Sequence, residues 1–172
     1  MKRLLILVLA AAVAVVVAGC GSGSGSGSGG ASSSSTQTAG SSSQKATVAT
    51  SDSSLGTILV AADGKTLYLF DKDTSTKSTC SGACAKAWPP LTVSGSPTAG
   101  DGVDQSKLGT TMRADGTTQV TYAEHPLYFF YKDQSAGDTN GQGVDGFGAK
   151  WWVVGPSGQK IEKSSSGGGY GY

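Results

Sequence analysis

Leu67-Tyr68-Leu69-Phe70-Asp71-Lys72-Asp73 returns farther along the chain as Leu127-Tyr128-Phe129-Phe130-Tyr131-Lys132-Asp133. Leu55-Gly56-Thr57 likewise matches Leu108-Gly109-Thr110, and Ala85-Lys86-Ala87-Trp88 has a looser echo in Ala149-Lys150-Trp151-Trp152. Several shared features in one order mark a duplicated supersecondary unit. A unit of about fifty residues cannot bury a full core alone. The two copies, residues 52–100 and 101–163, are therefore expected to pack as a pseudo-symmetric pair.

Both copies read as β-structure. Ile58-Leu59-Val60-Ala61 and Thr66-Leu67-Tyr68-Leu69-Phe70 flank Asp63-Gly64, a dipeptide suited to the positive backbone angles of a tight hairpin turn. Asp115-Gly116 precedes Thr118-Gln119-Val120-Thr121-Tyr122, and His125-Pro126 is expected to turn the chain into Leu127-Tyr128-Phe129-Phe130-Tyr131. Gly, Pro and Asp-Gly recur about every ten residues, a spacing that favours short strands over helices. The fold class expected is a mostly β domain of two tandem hairpin-containing repeats. Within a strand Tyr68 and Phe70 face one side and Leu67 and Leu69 the other, so both faces are apolar and the strand belongs at the centre of a sheet.

The ends of the chain have a different composition. Lys2 and Arg3 precede an apolar run from Leu4 to Ala18, and Val17-Ala18-Gly19-Cys20 resembles the bacterial lipobox. Fifteen apolar residues in a helix reach roughly 22 Å, short of a hydrocarbon core of about 30 Å. Residues 1–19 are therefore expected to be a cleaved lipoprotein signal peptide. Acylated Cys20 then holds the chain to membrane lipid on the extracytoplasmic side, because two or more acyl chains anchor stably. Alternating Gly and Ser from Gly21, then a Ser/Thr/Ala stretch to Ser51, offer too little apolar area to offset ordering entropy. Residues 20–51 are expected to form a disordered tether with an r.m.s. span of roughly 30 Å, and residues 164–172 a second low-complexity tail.

Charge excludes one class of function. Thirteen basic residues face twelve acidic ones, and two of the basic residues lie in the leader. A near-neutral mature chain lacks the basic footprint of a nucleic-acid binder. In an exported domain Cys80 and Cys84, four residues apart, are expected to form a disulfide across a tight turn. Zinc is disfavoured, since His125 would have to complete an incomplete ligand set. Covalent haem is excluded by the missing Cys-x-x-Cys-His, and no metal or cofactor is expected. Glu124-His125 lacks a positioned nucleophile, so no catalytic residue is assigned. Gly141-Gln142-Gly143-Val144-Asp145-Gly146 has neither the strand-then-helix context nor the Lys-Ser/Thr ending of a nucleotide loop, and is expected at the surface.

Tyr68-Leu69-Phe70-Asp71-Lys72-Asp73 and Tyr128-Phe129-Phe130-Tyr131-Lys132-Asp133 both fit the pattern Tyr-x-aromatic-x-x-Asp. With Cys80-Ser81-Gly82-Ala83-Cys84 and Trp88-Pro89-Pro90-Leu91, they resemble the bacterial lipoproteins built from a secreted repeat of unknown function. His125 stands where that family tends to place Gly. The resemblance implies an extracytoplasmic repeat protein without an assigned activity, some members being linked to hydrocarbon utilisation. The motif residues Tyr68, Phe70, Asp73, Tyr128, Phe130 and Asp133 admit two readings. In one they are core aromatics with turn-shaping carboxylates; in the other the paired tyrosines and aspartates surround a cleft at the repeat interface that takes a small apolar or cationic ligand. The functions expected are a non-catalytic module binding a small ligand or an envelope protein, or a redox accessory that uses Cys80 and Cys84.

Overall fold

A computed structural model describes residues 46–163. The leader, Cys20, the tether up to residue 45 and the tail from residue 164 lie outside the described residues. The elements in chain order are β1 (Thr47–Ser53), β2 (Gly56–Ala61), β3 (Tyr68–Phe70), the short helix α1 (Ala83–Ala87), β4 (Thr98–Ala99), β5 (Leu108–Met112), β6 (Thr118–Tyr122), β7 (His125–Pro126), β8 (Asp145–Gly146) and β9 (Ala149–Val153). The domain is mostly β, as expected. Small sheets run in the orders β2-β1-β4, β3-β9-β8 and β5-β6-β7.

One boundary moves. Residues 47–51, expected to belong to the tether, form most of β1, which pairs antiparallel with β2 from Val48↔Ala61 to Ser53↔Gly56. Their Ser/Thr-rich composition resembles the linker before them. Ala46 and Val48 nevertheless turn inward and are buried, and a strand needs only one such face.

Pleating sorts the apolar residues into two cores. Tyr68, Phe70, Tyr128, Phe130, Trp151, Val153, Ile58 and Val60 share one core. Leu67, Leu69, Leu127, Val154, Leu59 and Val120 share the other. Neighbours along each strand thus serve opposite faces, as the alternation in Leu-Tyr-Leu-Phe predicts. β3 is central. It pairs with β9 on one side, and on the other Tyr68 and Tyr128 exchange both backbone hydrogen bonds, at 2.9 and 3.0 Å.

The pseudo-twofold passes between these two tyrosines. Asp71 N donates to Lys150 O as Tyr131 N donates to Ala87 O; Val154 N donates to Leu67 O as Leu91 N donates to Leu127 O. Leu59 N reaches Val154 O just as Val120 N reaches Leu91 O. Each repeat therefore lends a segment to the other: β9 completes repeat 1, and residues 87–91, running on from the end of α1, complete repeat 2. Three-dimensional equivalence corrects two of the sequence matches. Leu55-Gly56-Thr57 opens β2, the second strand of its hairpin, whereas Leu108-Gly109-Thr110 opens β5, the first strand of the other. Ala85-Lys86-Ala87 lies in α1 whereas Ala149-Lys150-Trp151 lies in β9, and the partner of Trp88 is Trp151, not Trp152. Three or four matching letters do not fix secondary structure when one copy is alanine-rich and bridged by a disulfide.

The turns follow a common chemistry. At Ala62-Asp63-Gly64, Ala114-Asp115-Gly116 and Pro156-Ser157-Gly158 a three-residue loop ends in a glycine with φ of 79°, 82° and 89°. The preceding Asp or Ser side chain accepts the N–H two residues on. This is the hairpin loop closed by a left-handed glycine. The hairpin at Asp63-Gly64 is short: Val60 bridges Thr66, and the chain then leaves β2 to join β9. The expected turn at His125-Pro126 instead falls at Ala123-Glu124, where both residues have positive φ (47° and 70°), and His125-Pro126 is β7. No glycine announces this turn, so the sequence hides it.

Gly141-Gln142-Gly143-Val144 is not a surface loop. Gly141 and Val144 are buried, and Gln142 Oε1 accepts from Val153 N while its amide donates to Ile161 O. A Cβ on Gly141 would stand 2.8 Å from the rings of both Trp88 and Tyr68. Gly141→Ala is accordingly expected to cost about 1–3 kcal/mol by overpacking, read as a lower urea midpoint with an unchanged slope.

Candidate functional site

The six motif residues assemble at the repeat interface in a crossed arrangement. Tyr68 Oη donates to Asp133 Oδ2 at 2.6 Å, and Tyr128 Oη donates to Asp73 Oδ2 at 2.5 Å. The tyrosine of each repeat is therefore held by the aspartate of the other. The remaining carboxylate oxygen of Asp73 accepts Thr79 N and Thr79 Oγ1, both at 2.7 Å. That of Asp133 accepts Asn140 N and Nδ2, at 3.0 and 3.1 Å. The carboxylates do shape the exit turns, as the sequence suggests. Their grip on the opposite repeat was not foreseen.

Between the two pairs lies a column of rings. Phe70 stacks on Trp151 at 4.0 Å, Trp151 on Trp88 at 4.0 Å with only 3° between their planes, and Trp88 on Phe130 at 4.2 Å. Repeats alternate along the column. Tyr68 meets Trp88 edge-on at 5.4 Å, and Tyr128 meets Trp151 edge-on at 5.1 Å. Each such pair contributes about 0.5–1.5 kcal/mol beyond its buried area. The shared cleft expected between the repeats is thus filled by side chains. Phe70 and Phe130 are column members, and Phe130 and Asp133 also border a cavity at one end of the column.

Electrostatics follow from burial. Desolvation, then the Asp133 charge beside it, pushes the Tyr68 phenol far above the ordinary range. Desolvation and Asp73 do the same for Tyr128. Asp133 is raised by desolvation, with the hydrogen bonds from Tyr68 and Asn140 pulling the other way. Buried carboxylates persist where donors surround them.

A second polar network joins the disulfide to repeat 2. Cys80 and Cys84 are bridged, with Cα atoms 5.3 Å apart, and both are buried. Arg113, which the sequence did not single out, is also buried. It donates to Cys80 O at 2.7 Å, Ser78 Oγ at 2.8 Å and Gln119 Oε1 at 2.6 Å. Ser78 Oγ in turn lies 2.7 Å from Tyr128 Oη. Its signal in the sequence was an arginine beside a hairpin turn, which ordinarily reads as solvated.

Open concave surface adjoins the end of the column, where Phe130 and Asp133 form part of a cavity wall. A cavity of about 330 Å³ is lined by Ala46, Ala61, Pro90, Leu91 and Phe129; its neighbour of about 270 Å³ takes in Lys65, Pro89, Phe129, Tyr131 and Gln134. Phe129 and Asp63 belong to both. Among the described residues no group of three or more His, Cys, Asp or Glu could hold a metal ion, and no helix is long and apolar enough to cross a membrane.

Two predictions follow from the crossed pairs. In double-mutant cycles Tyr68→Phe and Asp133→Asn should couple by at least about 1 kcal/mol, as should Tyr128→Phe and Asp73→Asn; Tyr68→Phe with Asp73→Asn should add. Because the folded pKa of Asp133 is raised, its favourable contribution is complete below the unfolded value of 3.8 and is lost as pH rises through the folded value. Relative to Asp133→Asn, the wild-type domain should therefore gain stability on acidification from neutral pH to about 4, measured by urea midpoints across that window.

Comparison with known proteins accords with this duplicated architecture. No curated protein and no solved structure matches the chain. A family model described as a secreted repeat of unknown function matches twice, over residues 49–92 and 109–155, together more than half of the chain. The first match opens within β1 and the second within β5, the equivalence that the strand pairing establishes. An extracytoplasmic module fits that description, and the chain belongs to the family of secreted repeats of unknown function.

Proposed function

We propose that this protein is a lipid-anchored, non-catalytic lipoprotein of the cell envelope, acylated at Cys20, whose β-domain binds a small ligand or an envelope partner through the groove on either side of Phe129. The observation that carries this reading is the inward use of the motif. Tyr68, Tyr128, Asp73 and Asp133 satisfy one another and backbone donors, so these polar groups are engaged inside the fold and not presented to a substrate. Burial of both sulfurs speaks for an inert structural disulfide, since exchange requires an accessible sulfur.

The groove has the composition of a recognition surface. Apolar walls at Leu91, Pro90 and Phe129 stand beside Asp63 and Lys65, and its volume matches the lower range of small-molecule pockets. Lipid attachment rests on the lipobox-like Val17-Ala18-Gly19-Cys20 and the short apolar run before it.

Radiolabelled palmitate should enter the wild-type chain and not Cys20→Ala, which should be released from the membrane; label retained in Cys20→Ala would overturn the anchor. For the groove, Thr92→Trp places a large ring at an exposed lining position. Native mass spectrometry of the delipidated protein from its host should show an adduct on the wild type that this variant loses. An adduct unaffected by Thr92→Trp would move binding to another surface.

A further inference from the structure

We propose that the buried aromatic column is a one-electron relay in which Tyr68 and Tyr128 are the proton-coupled redox sites and Asp133 and Asp73 their proton acceptors. The geometry supplies each requirement. Ring centroids 4.0 to 4.2 Å apart run from Phe70 through Trp151 and Trp88 to Phe130. Tyr131, 44% exposed, meets Phe130 edge-on at 5.2 Å. An aromatic path therefore connects the protein surface to the two central indoles.

Where an electron vacancy would rest is decided by proton acceptors. Trp88 is fully buried and its Nε1 has no hydrogen-bond partner; Trp151 Nε1 donates only to the carbonyl of Gly146. Neither indole faces a base, so an oxidised indole keeps its proton and remains strongly oxidising. Each is in edge contact with a phenol that does face one: Tyr68 with Asp133 and Tyr128 with Asp73. The phenols hold their protons tightly, so electron loss there must be coupled to proton loss. Buried Tyr122 is an internal contrast, since its hydroxyl meets the carbonyl of Pro156 rather than a carboxylate.

The step balances. A high-potential outer-sphere metal complex or an oxidising radical at the surface gains one electron. Tyr68 loses that electron through Trp88 and Phe130; its O–H bond breaks, and an O–H bond forms on Asp133 Oδ2. A neutral tyrosyl radical and a neutral carboxyl group result. A one-electron donor at the surface reverses the step, and the proton returns to the phenol.

The test uses the full chain in detergent with Tyr122, Tyr131, Tyr170 and Tyr172 replaced by Phe, so that Tyr68 and Tyr128 are the remaining tyrosines. Photogenerated tris(bipyridine)ruthenium(III) serves as the oxidant. Freeze-quench EPR should show a neutral tyrosyl radical, its formation slowed in deuterium oxide. Asp133→Asn with Asp73→Asn keeps an acceptor atom for each hydroxyl but removes the base, and should lower the yield by an order of magnitude or more and abolish the isotope effect, with circular dichroism verifying the fold. A tryptophan radical that persists in the otherwise wild-type core, or a tyrosyl radical formed without an isotope effect, would overturn the relay. Both readouts come from the intact core and hold even if the aspartate variants fail to fold.

Discussion

Everything in this domain is arranged about a reciprocal exchange: the hydroxyl of one repeat's tyrosine on the carboxylate of the other's aspartate, performed twice around a stack of rings. A carboxylate withdrawn from water is costly unless several donors meet it. Here a phenol, a backbone amide and a third donor from Thr79 or Asn140 converge on each. Because the phenol comes from the other repeat, neither half can satisfy its own charge. The polar lock thus makes the two repeats cooperative, and the strands lent across the axis extend that dependence to the backbone.

Much of this was legible in the residues. Alternation in Leu67-Tyr68-Leu69-Phe70 gives two apolar faces, and the structure divides those residues between two cores. Asp-Gly pairs mark turns, and the spacing of Cys80 and Cys84 suits a bridge. What stayed hidden is non-local. Tyr68 and Asp133 are 65 residues apart, and Tyr128 and Asp73 are 55 apart, so no pattern within either repeat states that the partners are crossed. The turn at Ala123-Glu124 carries no glycine, and β1 is nearly as rich in Ser and Thr as the linker before it. Nothing in the residues around Arg113 states that its three acceptors lie inside.

The structure also accounts for the family pattern as a physical unit. The tyrosine supplies an edge to a tryptophan and a donor to the opposite repeat, the second aromatic supplies an end of the stack, and the aspartate closes its own exit turn while receiving the foreign phenol. Phe70, Trp151, Trp88 and Phe130 alternate between repeats, so the ring column and the polar lock are two expressions of one axis. Repeats that share an axis in this way spend their distinctive residues on the contact between them.

The lending of β9 to repeat 1 bears on how such a chain is delivered. The strand β9, Ala149–Val153, is needed to flank the motif strand of the first half, so the first repeat keeps an open edge until residues about eighty positions farther on are available. Long-range pairing of this kind is slow to form. A secreted repeat pair so built can be threaded while β3 is still open, and it closes when residues 149–153 reach that edge.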